Sequence, residues 1–143
     1  MPFASEKTLV DSFVCQLAEG GPPWGPVQVA TEFFYQRGRT DVIAYTKDQS
    51  VIAIEAKLTD WRAALHQAYR NRCFAHQSYV LLPKETAFRA ARYDGEFDRR
   101  QVGICYLEGE EIVVLKPAFD GAPIEPWLSQ RARRHIDCSG LGA

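Results

Sequence analysis

The segment Val51-Ile-Ala-Ile-Glu-Ala-Lys-Leu58 constrains this chain more than any other. Its apolar and β-branched residues read as a strand buried on both faces. A buried strand tolerates a charge only where a partner or a cation compensates it. Yet Glu55 and Lys57 interrupt this one, and Asp41 lies one strand earlier. Any fold the chain adopts must bring these three charges to a place where they are compensated.

With 143 residues the chain has the length of a single domain and can bury a core of its own. We read 1–143 as one unit, with a core over about 5–82 and an extension over about 84–136. A content of 46% hydrophobic and 24% charged residues excludes a disordered or collagenous chain. No apolar run approaches the ~18 residues of a membrane helix. The start, Met1-Pro-Phe-Ala-Ser-Glu-Lys7, lacks the basic and apolar regions of a signal peptide, so a cytoplasmic location is expected. Cys15, Cys73, Cys105 and Cys138 form no C-x-x-C pair and have no histidine at zinc spacing. They read as reduced thiols. The net charge of −1 argues against nonspecific nucleic-acid binding driven by overall charge.

Ser5 to Glu19 reads as a helix, N-capped by Ser5, with Leu9, Val10, Phe13, Val14 and Leu17 in one stripe. Gly20 to Pro26 is a loop. Val27 to Gln36, Asp41 to Thr46 and Val51 to Leu58 read as strands. A helix from Asp60 to about Phe74, capped by Thr59, follows, with Trp61 as a core anchor. Ser78 to Leu82 is a strand stopped by Pro83. Lys84 to Arg92 is a helix ended by Tyr93-Asp-Gly95. Gln101 to Leu107 and Ile112 to Lys116 form a hairpin, and Trp127 to Ile136 a short helix. The tail from Cys138 reads as loose. The order αβββαβαββ points to a mixed sheet flanked by helices, an α/β fold.

If the turn between the second and third strands centres on Asp48, paired residue numbers sum to 96, and Asp41 faces Glu55. Directly opposed side chains have Cβ atoms ~5 Å apart, and Lys57, two residues on, shares Glu55's face. Facing carboxylates repel unless a cation lies between them. Two carboxylates, the Ala56 carbonyl and waters make an oxygen set that suits Mg²⁺. Such an ion polarises a phosphoryl oxygen and acidifies bound water, and Lys57 would steady the developing charge. Glu6 continues the first helix's apolar stripe and is expected to point along the core. In the first helical turn it equally favours the helix dipole. Gln67 flanks the apolar face of the second helix, one turn before Asn71. Asp41 has a plainer reading too, as a strand-start acid paired with an arginine of Arg37-Gly-Arg-Thr40. Glu32 reads as either site-facing or edge-exposed, and His66, His76 and His135 as surface residues.

At these positions the chain resembles the PD-(D/E)XK nuclease superfamily, which has the restriction-endonuclease-like fold. The family pattern is an acid on one strand, acid-x-lysine on the next, then a helix that often carries a glutamine. Asp41, Glu55-Ala56-Lys57 and Gln67 match in order, and αβββαβ matches the family core. Glu6 matches the acid frequently found on the first helix. Thr40 stands where the family often has proline, and Gln67 is followed by Tyr69 rather than by a tyrosine four residues on, unlike the RecB-type motif. In size the chain is similar to archaeal-type Holliday junction resolvases. The resemblance implies a Mg²⁺-dependent DNA endonuclease, with Mn²⁺ tolerated, that leaves a 5′-phosphate and a 3′-hydroxyl. It further implies a homodimer and a role in DNA repair, recombination or defence. The alternative expectation is a non-catalytic nucleic-acid-binding or assembly module on the same fold.

Overall fold

A computed structural model describes residues 3–139 and 141–142. Helix α1 (Glu6–Ala18) is followed by strands β1 (Val27–Tyr35), β2 (Gly38–Thr46) and β3 (Val51–Ala56). Then come α2 (Trp61–Arg70), a 3-10 turn (Asn71–Cys73), β4 (Gln77–Leu81), α3 (Lys84–Ala91) and α4 (Asp94–Arg100). The chain closes with β5 (Gly103–Glu108), β6 (Glu111–Lys116), α5 (Pro126–Ser139) and the two-residue β7 (Leu141–Gly142). The sheet order is β6-β5-β4-β3-β2-β1-β7. The β3–β4 and β4–β5 pairs are parallel and the others antiparallel. This is the expected α/β architecture: a restriction-endonuclease-like αβββαβ core with a following β-hairpin.

Helix α1 is set by its sequence. The Ser5 hydroxyl accepts the Thr8 N–H at 3.1 Å, capping one of the orphan donors of the first turn. Leu9, Phe13 and Leu17 then fall on one stripe and are buried against Val29, Val42, Ile52 and Ile54. The opposite sheet face is covered twice. Leu128, Ala132 and Ile136 of α5 pack over Phe33, Ile43, Val51 and Ala53. Ala64, Leu65 and Ala68 of α2, with Ala87 of α3 and Phe97 of α4, pack over Val80 and Ile104. Trp61 is partly buried against this last cluster and stacks with Phe97, the anchoring role expected of it.

Several expectations are corrected. Helix α2 is capped by Asp60, which accepts the Ala63 N–H at 3.1 Å, rather than by Thr59. Helix α3 ends just before Tyr93 as expected, but Asp94 and Gly95 open a further helix, α4, in place of a loop. His76 and His135 are half-buried. His76 Nδ1 accepts the Val51 N–H at 3.0 Å, and His135 Nε2 lies 2.9 Å from the Thr31 carbonyl. The tail is not wholly loose, since α5 runs to Ser139 and Leu141–Gly142 pairs with β1; Gly140 and Ala143 lie outside the described residues. All four cysteines are free.

The β1–β2 ladder has one gap that shapes everything near it. Paired numbers sum to 73 from Val27↔Thr46 to Tyr35↔Gly38, but Glu32 and Asp41 do not pair. Glu32 has φ 54° there, a left-handed conformation that costs a non-glycine residue about 1–2 kcal/mol. Below the gap Val29 and Val42 face α1. Above it Phe33 and Tyr35 face α5, and Thr40 turns to Asn71. A strict period of two would put Phe33 and Thr40 on the α1 face, so both strands exchange faces at this point.

Candidate active site

The β2–β3 register is the one derived from the turn. Val42↔Ile54, Ile43↔Ala53 and Ala44↔Ile52 sum to 96. The ladder stops after Val42↔Ile54, one pair short of Asp41 and Glu55. By the alternation of an antiparallel ladder, the Ala56 N–H would next have bonded the Thr40 carbonyl. Instead it donates to Asp41 Oδ2 at 2.9 Å. On the other side Lys57 N–H donates to the Leu81 carbonyl at 3.2 Å. The Ala56 N–H and C=O therefore both face β2, and its carbonyl aims into the gap that Asp41 fills.

Glu55 is only 1% exposed. Its Oε2 accepts from Asn71 Nδ2 at 2.7 Å. Asn71 is itself fully buried, and its Oδ1 accepts from the Tyr35 hydroxyl at 2.8 Å and the Thr40 hydroxyl at 2.9 Å. Two donors on Oδ1 fix which way the amide points, so the NH₂ must face Glu55. Burial pushes the Tyr35 phenol up to about 12, which keeps its proton available to Asn71. Burial, and then the neighbouring Asp41 charge, push the Glu55 carboxyl up to about 8 against the hydrogen bond from Asn71. The acid thus sits between opposing demands, and an added cation would shift the balance toward the carboxylate.

The remaining expected residues are placed less uniformly. Asp41 Oδ1 accepts from Arg39 Nη2 at 3.2 Å, so its plainer reading as an arginine-paired acid holds alongside its position facing Glu55. Lys57 pairs with neither acid among the described residues; its Nζ is 4.0 Å from Glu6 Oε1. Glu6 meets the lysine from the end of α1, but it is 49% exposed. The expectation that it points along the core is therefore corrected: the first turn of α1 overhangs the sheet, and burial begins only at Leu9. Gln67 is half-buried and makes no side-chain hydrogen bond to either acid. The helix-borne contact comes one turn later, from Asn71. Glu32 is exposed at the sheet edge, accepting from Arg39 Nη1 at 3.2 Å. Asn71, Tyr35 and Thr40 were not foreseen as site residues; the spacing of Asn71 four residues after Gln67 was the only local signal for any of them.

The donor chemistry fits a hard divalent cation. Two carboxylates, with the Ala56 carbonyl on the β2 side by strand alternation, offer only oxygen, the donor type that Mg²⁺ takes. No group of three or more His, Cys, Asp or Glu side chains gathers for a metal among the described residues, so a cation here would depend on the Ala56 carbonyl and water beside the two acids. No helix of the described residues is long and apolar enough to cross a membrane.

No family model matches the chain, and no curated protein matches it in sequence. Among solved structures it is similar to a protein of unknown function from Silicibacter pomeroyi. That likeness has a TM-score of 0.68 and 13% identity, and covers 96% of this chain and 87% of the other. It is also similar to a repair endonuclease from Pyrococcus abyssi, with a TM-score of 0.48 and 15% identity, over 76% of this chain and 49% of the other. The first of these shows a shared fold and carries nothing about activity.

Proposed function

We propose that this chain is a metal-dependent nuclease of the PD-(D/E)XK type that hydrolyses phosphodiester bonds in DNA. The observation that carries the reading is that Asp41 and the buried Glu55 come together where the β2–β3 ladder stops, with Asp41 bonded to the backbone of Ala56. Asp41, Glu55 and the Ala56 carbonyl would hold Mg²⁺, with Mn²⁺ as a substitute. When bound, the ion supplies a polarised phosphoryl oxygen and an acidified water. Asn71 holds Glu55 Oε2 and leaves the other oxygen for the ion. Lys57, loosely tethered by Glu6, orients the attacking water or steadies charge on the phosphoryl oxygens. Gln67 of α2 would contact a water or a phosphate of the substrate. Attack of water oxygen on phosphorus breaks the bond to the 3′ oxygen, which takes a proton, leaving a 5′-phosphate and a 3′-hydroxyl. Cutting both strands, or a junction, needs two such sites, hence a homodimer acting in repair, recombination or defence.

A second reading has an observation of its own. Arg39, the Ala56 N–H and Asn71 already satisfy both acids, and Lys57 pairs with Glu6 instead. That favours a non-catalytic nucleic-acid-binding or assembly module. Incubating linear, circular, single-stranded and branched DNA with Mg²⁺ or Mn²⁺ separates the two. The nuclease reading expects cleavage by the wild type and none by Asp41→Ala or Lys57→Ala. Equal behaviour of all three proteins on every substrate refutes it. Calorimetry with Mn²⁺ adds a readout free of activity: binding must be present in the wild type and lost in Glu55→Gln.

A further inference from the structure

Phe34 is 65% exposed on a strand whose adjacent residues are core aromatics. Phe33 and Tyr35 stack on each other, and both pack edge-on against Phe74. They pin the backbone on either side, so the Phe34 ring is presented on the opposite face by a rigid strand. A large apolar side chain held this way has lost its freedom before any ligand arrives. Phe34 makes no aromatic pair of its own among the described residues.

Arginines gather at the tip of the hairpin that carries Phe34. Its cross-strand partner is Arg39, held by Glu32 and Asp41 at 3.2 Å each. The Arg37 carbonyl at the hairpin tip accepts from Arg70 Nη1 at 2.6 Å, and Arg131 Nη1 donates to Gln36 at 3.2 Å. Arg39 lies on Phe34's own face between Glu32 and Asp41, whereas Arg70 and Arg131 reach the tip from α2 and α5, which cover the other face. By formal charge the four arginines (Arg37, Arg39, Arg70 and Arg131) outnumber the two carboxylates (Glu32 and Asp41) at the tip by two. The whole chain has a net charge of −1, so this excess is local. Arg39 also ties the surface to the site, because the side chain beside Phe34 is the one that holds Asp41.

We infer that the tip of the β1–β2 hairpin is a nucleic-acid platform on which Phe34 stacks an unpaired base while arginines of the tip hold flanking phosphates. The inference rests on the proposed nuclease reading and narrows its substrate to DNA carrying unpaired nucleotides. In a duplex the base faces are occupied by their neighbours, and an exposed ring gains nothing from them. A single strand, splayed fork or flap offers free faces, and base–aromatic stacking is insensitive to which base is offered. Arginine suits the flanking phosphates because its fork binds them in pairs of hydrogen bonds.

The test is equilibrium binding by fluorescence anisotropy, in EDTA and low salt, with the full chain. The probes are a labelled single strand, a blunt duplex and a splayed fork of one sequence. Single strand and fork should bind about tenfold or more tighter than duplex, from one to two stacked bases. Phe34→Ala should remove that advantage and leave duplex binding unchanged, and Phe34→Trp should restore it. A circular dichroism melt confirms that each variant is folded. Absence of binding, equal binding of the three probes, or an unaffected Phe34→Ala overturns the inference. The two readings fail separately. A stacking preference without metal-dependent cleavage defeats the nuclease alone, and cleavage by a protein indifferent to Phe34 defeats the platform alone.

Discussion

Replacing Glu55 by Gln should stabilise the metal-free protein, and only where the pH is high. The carboxyl is raised from 4.5 to about 8 in the folded chain. A raised acid binds its proton more tightly folded than unfolded, so stability falls as pH rises from 4.5 to about 8 and is level above that. The full shift is about 3.5 pH units, or ~5 kcal/mol at 1.36 kcal/mol each. At pH 5 the penalty is only ~1 kcal/mol, because the unfolded carboxyl is then only about three-quarters ionised and little free energy is lost by protonating it. Glutamine keeps an oxygen for the Asn71 NH₂ and carries no charge, so it imitates the protonated acid. Urea unfolding of both proteins in EDTA, at intervals from pH 5 to pH 9, measures the difference directly. The expected result is near equality at pH 5 and a Gln advantage of about 3–5 kcal/mol at pH 9. Under the proposed function, Mn²⁺ at pH 9 should narrow this gap by stabilising the wild type alone. A constant difference across the range would refute the burial argument, as would a wild type more stable than Glu55→Gln at pH 9.

Asn71→Ala leaves Glu55, Tyr35 and Thr40 without their common partner, and at about 1–3 kcal/mol for a buried orphan group it should cost at least 3 kcal/mol in urea unfolding. Glu32→Gly relieves the left-handed backbone at φ 54° and should be neutral or stabilising by up to about 1 kcal/mol despite glycine's greater unfolded-state entropy, read as a rise in Tm. Gly103→Ala places a Cβ 2.5 Å from the Lys116 carbonyl and from Tyr79 Cε1; overpacking of this kind costs about 1–3 kcal/mol, so its Tm should fall.

Legibility followed the range of the interactions. The cap of α1 is a three-residue signal, and the β2–β3 register follows from a short turn, so both could be read along the chain. Helix α4 could not, because its only buried residue is Phe97 and a single apolar position has no period. The Asp41–Glu55 encounter was legible as register arithmetic, but the buried network behind it was not. Tyr35, Thr40 and Asn71 come from two strands and the end of a helix, and nothing in their sequence neighbourhoods distinguishes a buried amide from a surface one. Lys57 shows the limit in the other direction. Period-two alternation placed it beside Glu55, but β3 ends at Ala56 and the side chain meets Glu6 instead.

The exchange of faces at Glu32 and Asp41 works like a parity change in the ribbon. Below it, odd-numbered residues of β1 belong to α1; above it, they belong to α5 and the Asn71 network. A single inserted or deleted residue in either arm of the tip would therefore undo the exchange. Phe33 would turn outward and Phe34 inward, with little change in composition. Two chains of nearly identical hydropathy profile could then differ in whether an aromatic ring and an arginine stand beside the acids at all. For a ribbon of this design, chain length between the crossing and the turn is inherited information, as consequential as the identity of the residues it carries.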